Sequence, residues 1–457
     1  MRADVHGLPS GMGMVKREMP QYFQLFVGRF YILANKYKEL KILFGNNLYF
    51  PNSGIAAYCD LRSQLIHLNG LNKLDFDAAL RMERENDLRS HLGTMLHEIT
   101  HWADIVGTLW GQEYLRAVYD GLALLKKTTV NGGEQEFYKF IDLHDRTRRI
   151  MMSQYYRTTT SKPPPHDHRR TWGIQFSAGS EFDTQGRLDL MRPIVFARFL
   201  DRATGALIAR QPIVVGALLE TNAVWSEIST NIDILQRMQQ PERAFEEAAF
   251  RRQQLCNLYD PDLTIYTAPV HLLAQFATVF DSVIAYELAS AVSHIVLNLK
   301  PDDFFRIKLP DSMGPWEKFS AGFRKERNHG FAYTAICGSC PKWRDDTKVE
   351  DWLNDTLKIA GLGPASSIFE NAQTEMQSNL SKKQGLQLVD PERYLLELGE
   401  HVLKVRSCGS TALTPSRIEQ ANLATPPMFD AEGELIFLKP SIFDVSRFSP
   451  MEMYEAG

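Results

Sequence analysis

His97-Glu98-Ile99-Thr100-His101 lies inside a run from Leu88 to Val106 whose apolar residues recur at Leu88, Leu92, Met95, Leu96, Ile99, Ala103 and Val106. That rhythm predicts an amphipathic helix, with Asn86 or Asp87 as its N-cap. On a helix, residues four apart sit one turn apart on the same face, so the rings of His97 and His101 converge beside the apolar stripe. Two neutral imidazoles so placed suit a single metal ion, and the pentapeptide is the H-E-x-x-H pattern, with Glu98 beside its two histidines. At the His and Glu frequencies of this chain the pattern arises by chance about twice in a hundred chains of this length. The bland alternative is a helix carrying two surface histidines and a solvated Glu.

The 457 residues are enough for two or three domains, and a composition of 44% hydrophobic and 23% charged residues is that of an ordinary globular protein. A formal net charge of −4 gives no support to a nucleic-acid-binding surface. Met1 to Met19 lacks the continuous apolar core of a secretory signal. The most apolar long stretch, Leu272 to Leu299, is interrupted by Asp281, Glu287 and His294, which predicts a buried helix pair rather than a membrane span. Five scattered cysteines do not make a disulfide framework and fit a reducing compartment. The expectation is a cytoplasmic protein, with export by a route that needs no cleavable signal left open; the oligomeric state is not readable.

Outward from the pentapeptide, Pro20 to Phe44 reads as a helix and Asp75 to Arg84 as a short one. Ile55 to Cys59 and Gln64 to Asn69 read as two short strands about a polar turn. Gln112 to Lys127 and Glu134 to Met152 are helical patterns separated by Asn131-Gly132-Gly133. Thr158 to Arg170, with Pro163-Pro164-Pro165-His166-Asp167-His168, is an extended loop, in which His166 and His168 are a flap or a second metal contact only in the sharper reading. Strands follow at Trp172 to Phe176, Ile194 to Leu200 and Ala206 to Arg210, then a helix from Val215.

A strand pair followed by the H-E-x-x-H helix resembles the zincin metallopeptidases over residues 20 to 240. The resemblance implies that the last strand before the helix is the edge along which a peptide binds extended. It also implies that His97 and His101 are zinc ligands and that Glu98 is the base acting on metal-activated water.

Two histidines need a third protein ligand to hold a catalytic zinc. Glu220 stands in an apolar helical stretch among Leu218, Leu219, Ala223 and Val224, where an unpaired carboxylate is costly and a metal would relieve the cost. Its position resembles the third ligand of the gluzincin branch, a Glu on a downstream helix. The position four residues on is Val224, so the Glu-x-x-x-Asp arrangement of some gluzincins is absent. Glu227, about two turns further along, is the rival ligand; a core Glu220 paired with an Arg is the structural alternative. The metzincin pattern fails, because Asp104 and Gly107 stand where it requires Gly and then His or Asp. Asp104, about one turn past His101, is a candidate to accept a hydrogen bond from a ligand imidazole, or else an ordinary exposed helical Asp. Tyr155, Tyr156, Tyr266, His271, Tyr286 and His294 are all candidate donors to a developing oxyanion, with nothing to choose among them.

Beyond Pro241 helices are predicted at Glu242 to Leu258, His271 to Leu299 with a break, Trp352 to Ala360, Ser366 to Leu380 and Pro391 to Val405, with a short hairpin within Pro426 to Leu438. Cys337-Gly338-Ser339-Cys340, with Cys408 and either His329 or His401, is a candidate structural zinc site, a redox pair, or ordinary cysteines.

The expected class is α+β: a zincin-like domain over residues 1–245, with a small sheet and the H-E-x-x-H helix, then a mainly helical domain over 246–457. The expected activity is that of a zinc-dependent endopeptidase acting on a peptide or protein substrate. The alternatives are a catalytically silent zincin scaffold that binds or senses a partner, and a zinc hydrolase acting on another bond.

Overall fold

A computed structural model describes residues 57–73, 85–131, 134–152, 156–160, 172–183, 185–381, 389–438 and 442–456. The predicted helices at Pro20 to Phe44 and Asp75 to Arg84, Ile55 and Ala56 of the first strand, and His166 and His168 lie outside the described residues.

The H-E-x-x-H helix, α1, runs Glu85–Gly107, so Asn86 and Asp87 stand within it rather than capping it. It is not two-faced. Every residue from Met95 to Leu109 is buried, the polar ones included, because neighbours surround this part of the helix. In front lie β1 (Tyr58–Asp60) and β2 (Leu65–His67), antiparallel with Cys59 opposite Ile66. Their turn is closed by Asp60, which accepts from the Arg62 amide at 3.0 Å and the Ser63 hydroxyl at 2.9 Å. Thr108 ends α1 and starts α2 (Leu109–Asn131): its hydroxyl donates to the Asp104 carbonyl at 2.6 Å and accepts from the Gly111 amide at 3.0 Å. The helix α3 (Glu134–Ile150) follows.

A second sheet comes next, built from β3 (Thr158–Thr159), β4 (Gly173–Phe182), β5 (Leu188–Leu200) and β6 (Leu207–Pro212). It is antiparallel in the order β3-β6-β5-β4. The Ile213 amide is still bonded to the Val195 carbonyl at 2.8 Å, so the chain leaves this sheet directly into α4 (Val215–Arg237). The sheet thereby sets where α4 begins.

The rest is largely helical. α5 (Glu242–Leu258), α6 (Thr264–Ala277) and α7 (Ser282–Leu297) lead into α8 (Pro301–Arg306), α9 (Glu317–Lys325) and α10 (His329–Gly338). α11 (Val349–Ile359), α12 (Ala365–Ser381) and α13 (Val389–Ser407) complete the larger helices, with α14 (Pro415–Gln420) and α15 (Pro450–Ala456) behind. The expected break in the apolar stretch falls between α6 and α7, where Asp281 caps α7 by accepting from the Val283 amide at 2.8 Å. Among the described residues no single helix is long and apolar enough to cross a membrane; α6 and α7, the one apolar pair, meet at a 102° bend and are mostly buried.

The C-terminal segment returns to the first sheet. β7 (Met428–Phe429) pairs parallel with β2, Ile66 opposite Met428, and antiparallel with β8 (Leu435–Ile436). The same return lays α13 against α1 so closely that a Cβ on Gly399 would stand 1.9 Å from the Val106 carbonyl oxygen, and only glycine fits. The architecture is therefore mixed α+β and mostly helical, with two small sheets among the described residues. One hydrophobic core among the described residues draws side chains from both sides of residue 245, from Trp172 to Ala412.

Candidate metal centre

His97 and His101 project from α1 toward α4, which carries Glu220. The Glu220 Oε2 atom lies 3.2 Å from His97 Nε2 and 3.5 Å from His101 Nε2, and one donor atom from each residue lies within 4.8 Å of the other two. All three are buried: His97 is 7% exposed, His101 and Glu220 not at all. These separations have a chemical meaning. An ion held by nitrogen and oxygen at about 2.0–2.1 Å in a tetrahedron puts its ligand atoms about 3.3–3.4 Å apart. The Glu220 oxygen meets both imidazoles at that spacing, so the three residues could hold a metal ion.

The electrostatics follow from burial. Desolvation works against charge on His97, but its hydrogen bond with Glu220 and the nearby Glu227 carboxylate outweigh it and hold its pKa well above the ordinary value. Burial likewise raises Glu220, yet the attraction and hydrogen bonds of His101 and His97 win and keep its carboxyl below the usual range. Glu98 is 1% exposed, and burial pushes its pKa up; the imidazoles and the Cys59 backbone amide of β1 pull it back only in part. The carboxyl group beside the two histidines is thus buried, close to the cluster and not committed to a side-chain partner.

Glu227 does not join the three donors. Its Oε2 faces the other ring nitrogen of His97, Nδ1, at 3.6 Å. Asp104 takes neither role expected of it. It is fully buried, and its oxygens accept from Arg406 at 2.5 Å and from the Asn222 amide at 3.1 and 3.2 Å. The correction has a geometric cause: Asp104 faces the crevice between α4 and α13, where Arg406, itself 1% exposed, needs a counter-charge. The network continues, for Ser290 donates to Asn222 Oδ1 at 2.8 Å and meets the Thr411 hydroxyl at 2.7 Å, and Arg406 Nε donates to the Thr411 carbonyl at 3.0 Å.

Of the candidate oxyanion donors, Tyr266 on α6 has its ring 6.3 Å from that of His97. The others have different engagements. The Tyr156 hydroxyl accepts from the Phe182 amide at 2.9 Å, and His271 bonds the Leu258 carbonyl at 2.7 Å among Trp172, Phe199 and Tyr259. Tyr286 is buried within the field of Glu227, and His294 lies against Phe369. Tyr155 is outside the described residues. Cys337 and Cys340 join no group of three metal donors among the described residues; burial pushes both thiols up, Cys340 to about 12, which is no setting for a reactive thiolate. Cys408 is exposed, and His329 packs against Trp110 and Phe304.

A cavity of about 470 Å³ between α2, α3 and the second sheet contains none of the cluster residues. Its charges satisfy one another: Arg149 pairs with Glu181 and with Glu326 at 3.2 Å, Arg192 with Asp145 at 3.1 Å, and Arg327 with Glu113 at 3.0 Å.

Sequence reasoning had no sight of Asn222, Arg406, the Cys59 amide or Gly93. Only Asn222 left a trace, as an amide in the same apolar helical run as Glu220. Comparison of the chain with protein-family models, with curated proteins and with solved structures finds no match.

Proposed function

We propose that the chain is a zinc-dependent peptidase of zincin type, in which His97, His101 and Glu220 hold the ion and Glu98 is the general base. The observation that carries this reading is the convergence of three buried donors within 4.8 Å of one another, with both imidazoles 3.2 and 3.5 Å from one Glu220 oxygen, beside an uncommitted buried Glu98. Two nitrogen donors and one carboxylate suit zinc and leave one of four positions open, the pattern of a catalytic rather than a structural site. When bound, the ion supplies polarisation of a carbonyl and lowers the pKa of water at the open position.

Glu98 removes the proton from the attacking water and delivers it to the departing amine, a task that its raised pKa suits. Tyr266 is the donor to the carbonyl oxygen as charge develops there. The last strand before α1, β2, is not the expected edge, because β7 pairs along its other side; β1, at the edge of the sheet among the described residues and next to Glu98, offers its backbone to an extended peptide instead.

The silent scaffold is kept as a second reading because the ligands are so thoroughly covered: His97, the most accessible, is only 7% exposed. One experiment separates the two. Purified chain is loaded with zinc, analysed for metal, and offered a peptide library beside Glu98→Gln. Cleavage lost in Glu98→Gln with zinc retained supports the peptidase; one zinc per chain with no cleavage in the parent supports the scaffold.

A further inference from the structure

Glu227 was a rival for the third ligand position, and the geometry around it points to a different task. Glu220 and Glu227 are two turns apart on one face of α4, and between them they address both nitrogens of the same ring. His97 Nε2 faces Glu220 at 3.2 Å, and Nδ1 faces Glu227 at 3.6 Å. A carboxylate on Nδ1 is on the far side of the imidazole from the cluster and cannot share its ion. Gly93, one turn before His97 on α1, lies against Glu227. A Cβ there would stand 3.2 Å from Glu227 Cγ and 3.3 Å from Asn231 Nδ2, tighter than ordinary contacts. Asn231 in turn donates to the Glu227 carbonyl at 2.9 Å, so the glycine gives room to two side chains of α4, one of them held by that bond.

We infer that Glu227 is a positioning residue for His97, seated in a notch made by Gly93. It accepts the Nδ1 proton and so fixes the tautomer that presents a lone pair on Nε2 to the ion. Partners of this kind set ring orientation and raise ligand basicity, and their loss weakens metal binding by about 10–100-fold without removing a ligand. The inference rests on the metal-binding reading proposed above. It assigns the ligand role to Glu220 and the orienting role to Glu227, and it makes a glycine on the opposite helix part of the site.

The test is zinc affinity measured by competition with a chromophoric chelator, with the thermal midpoint of each chain in EDTA as the control for folding. The proteins are the wild type, Glu227→Ala, Glu227→Gln, Gly93→Ala and Glu220→Ala. Glu227→Ala is expected to bind one zinc per chain about 10–100-fold more weakly, with the midpoint in EDTA unchanged. Glu227→Gln, whose amide oxygen still accepts from Nδ1, should recover most of the affinity. Gly93→Ala should weaken binding in the same direction with Glu227 intact. Glu220→Ala should lose stoichiometric binding altogether. Unchanged affinity in Glu227→Ala overturns the inference, and so does a Glu227→Ala chain that cannot be saturated while Glu220→Ala can, since Glu227 would then be the ligand. Absence of zinc binding by the wild type overturns the metal reading itself and this inference with it.

Discussion

Replacing Arg406 with Met probes the polar network that joins the helices of His97, His101 and Glu220 to the C-terminal part of the chain. In the native protein the Asp104 carboxylate is fully buried and is balanced by Arg406 at 2.5 Å, with the Asn222 amide at 3.1 and 3.2 Å. Methionine fills much of the space of the arginine stem but leaves a charged carboxylate in the core with one neutral donor. Breaking a buried pair from one side costs about 3–5 kcal/mol, because the surviving charge has no water to return to. That corresponds to roughly a 10²–10⁴-fold change in the unfolding equilibrium. Removing both charges, Asp104→Leu with Arg406→Met, abolishes the stranded carboxylate; the remaining loss is the Asn222 amide, worth about 1–3 kcal/mol. The double variant should therefore be more stable than Arg406→Met alone. The assay is denaturant unfolding of the four chains of the cycle, compared at equal m values. A loss below about 1 kcal/mol in Arg406→Met, or a double variant whose loss is the sum of the two single losses, would refute the argument that Asp104 is held as a buried ion.

Three other outcomes follow from the same geometry. Zinc at about a hundred times its dissociation constant should stabilise the wild type by about 2.7 kcal/mol, an increment absent from His101→Ala and read as a shift in thermal midpoint on adding metal. Tyr266→Phe should lower turnover by about 10²–10³-fold, the usual loss for an oxyanion donor, with zinc content unchanged; full turnover would remove Tyr266 from the mechanism. His294 is wholly buried and kept neutral, its pKa pushed well below the ordinary 6.5 by burial and by Arg406 and Arg417. The unfolded chain takes up a proton there that the folded chain refuses, so this residue's contribution is complete above pH about 6.5 and falls below it by up to about 1.4 kcal/mol per pH unit. His294→Leu should flatten the acid side of the stability profile, and an unaltered slope would count against a neutral His294.

The pentapeptide and Glu220 could be found from sequence because each breaks a local expectation: two histidines at helical spacing, and a carboxylate in an apolar run. The helices from Gln112 to Met152 and the hairpin about Asp60 were legible for the ordinary reason that side-chain periodicity records burial. What periodicity cannot record is burial on every side, and α1 from Met95 onward is such a helix. Asp104 was misread for that reason. Its partner lies about 300 residues away at Arg406, and no spacing rule reaches across that distance. The short helices α8, α9, α10, α14 and α15 also escaped, since stretches of six to ten residues carry too few turns for a period to stand out.

The return of β7 to β2, and of Arg406 to Asp104, carries a consequence for synthesis. A ribosome completes α1 long before the chain that encloses it: about 330 residues separate Gly107 from the end of β8, which at about 5–20 residues per second is roughly 15–65 s of translation. Until that segment emerges, Asp104 has no arginine and β2 has no parallel neighbour. An unfinished chain therefore contains His97, His101 and Glu220 before it contains the strand that pairs with β2 and the arginine that balances Asp104.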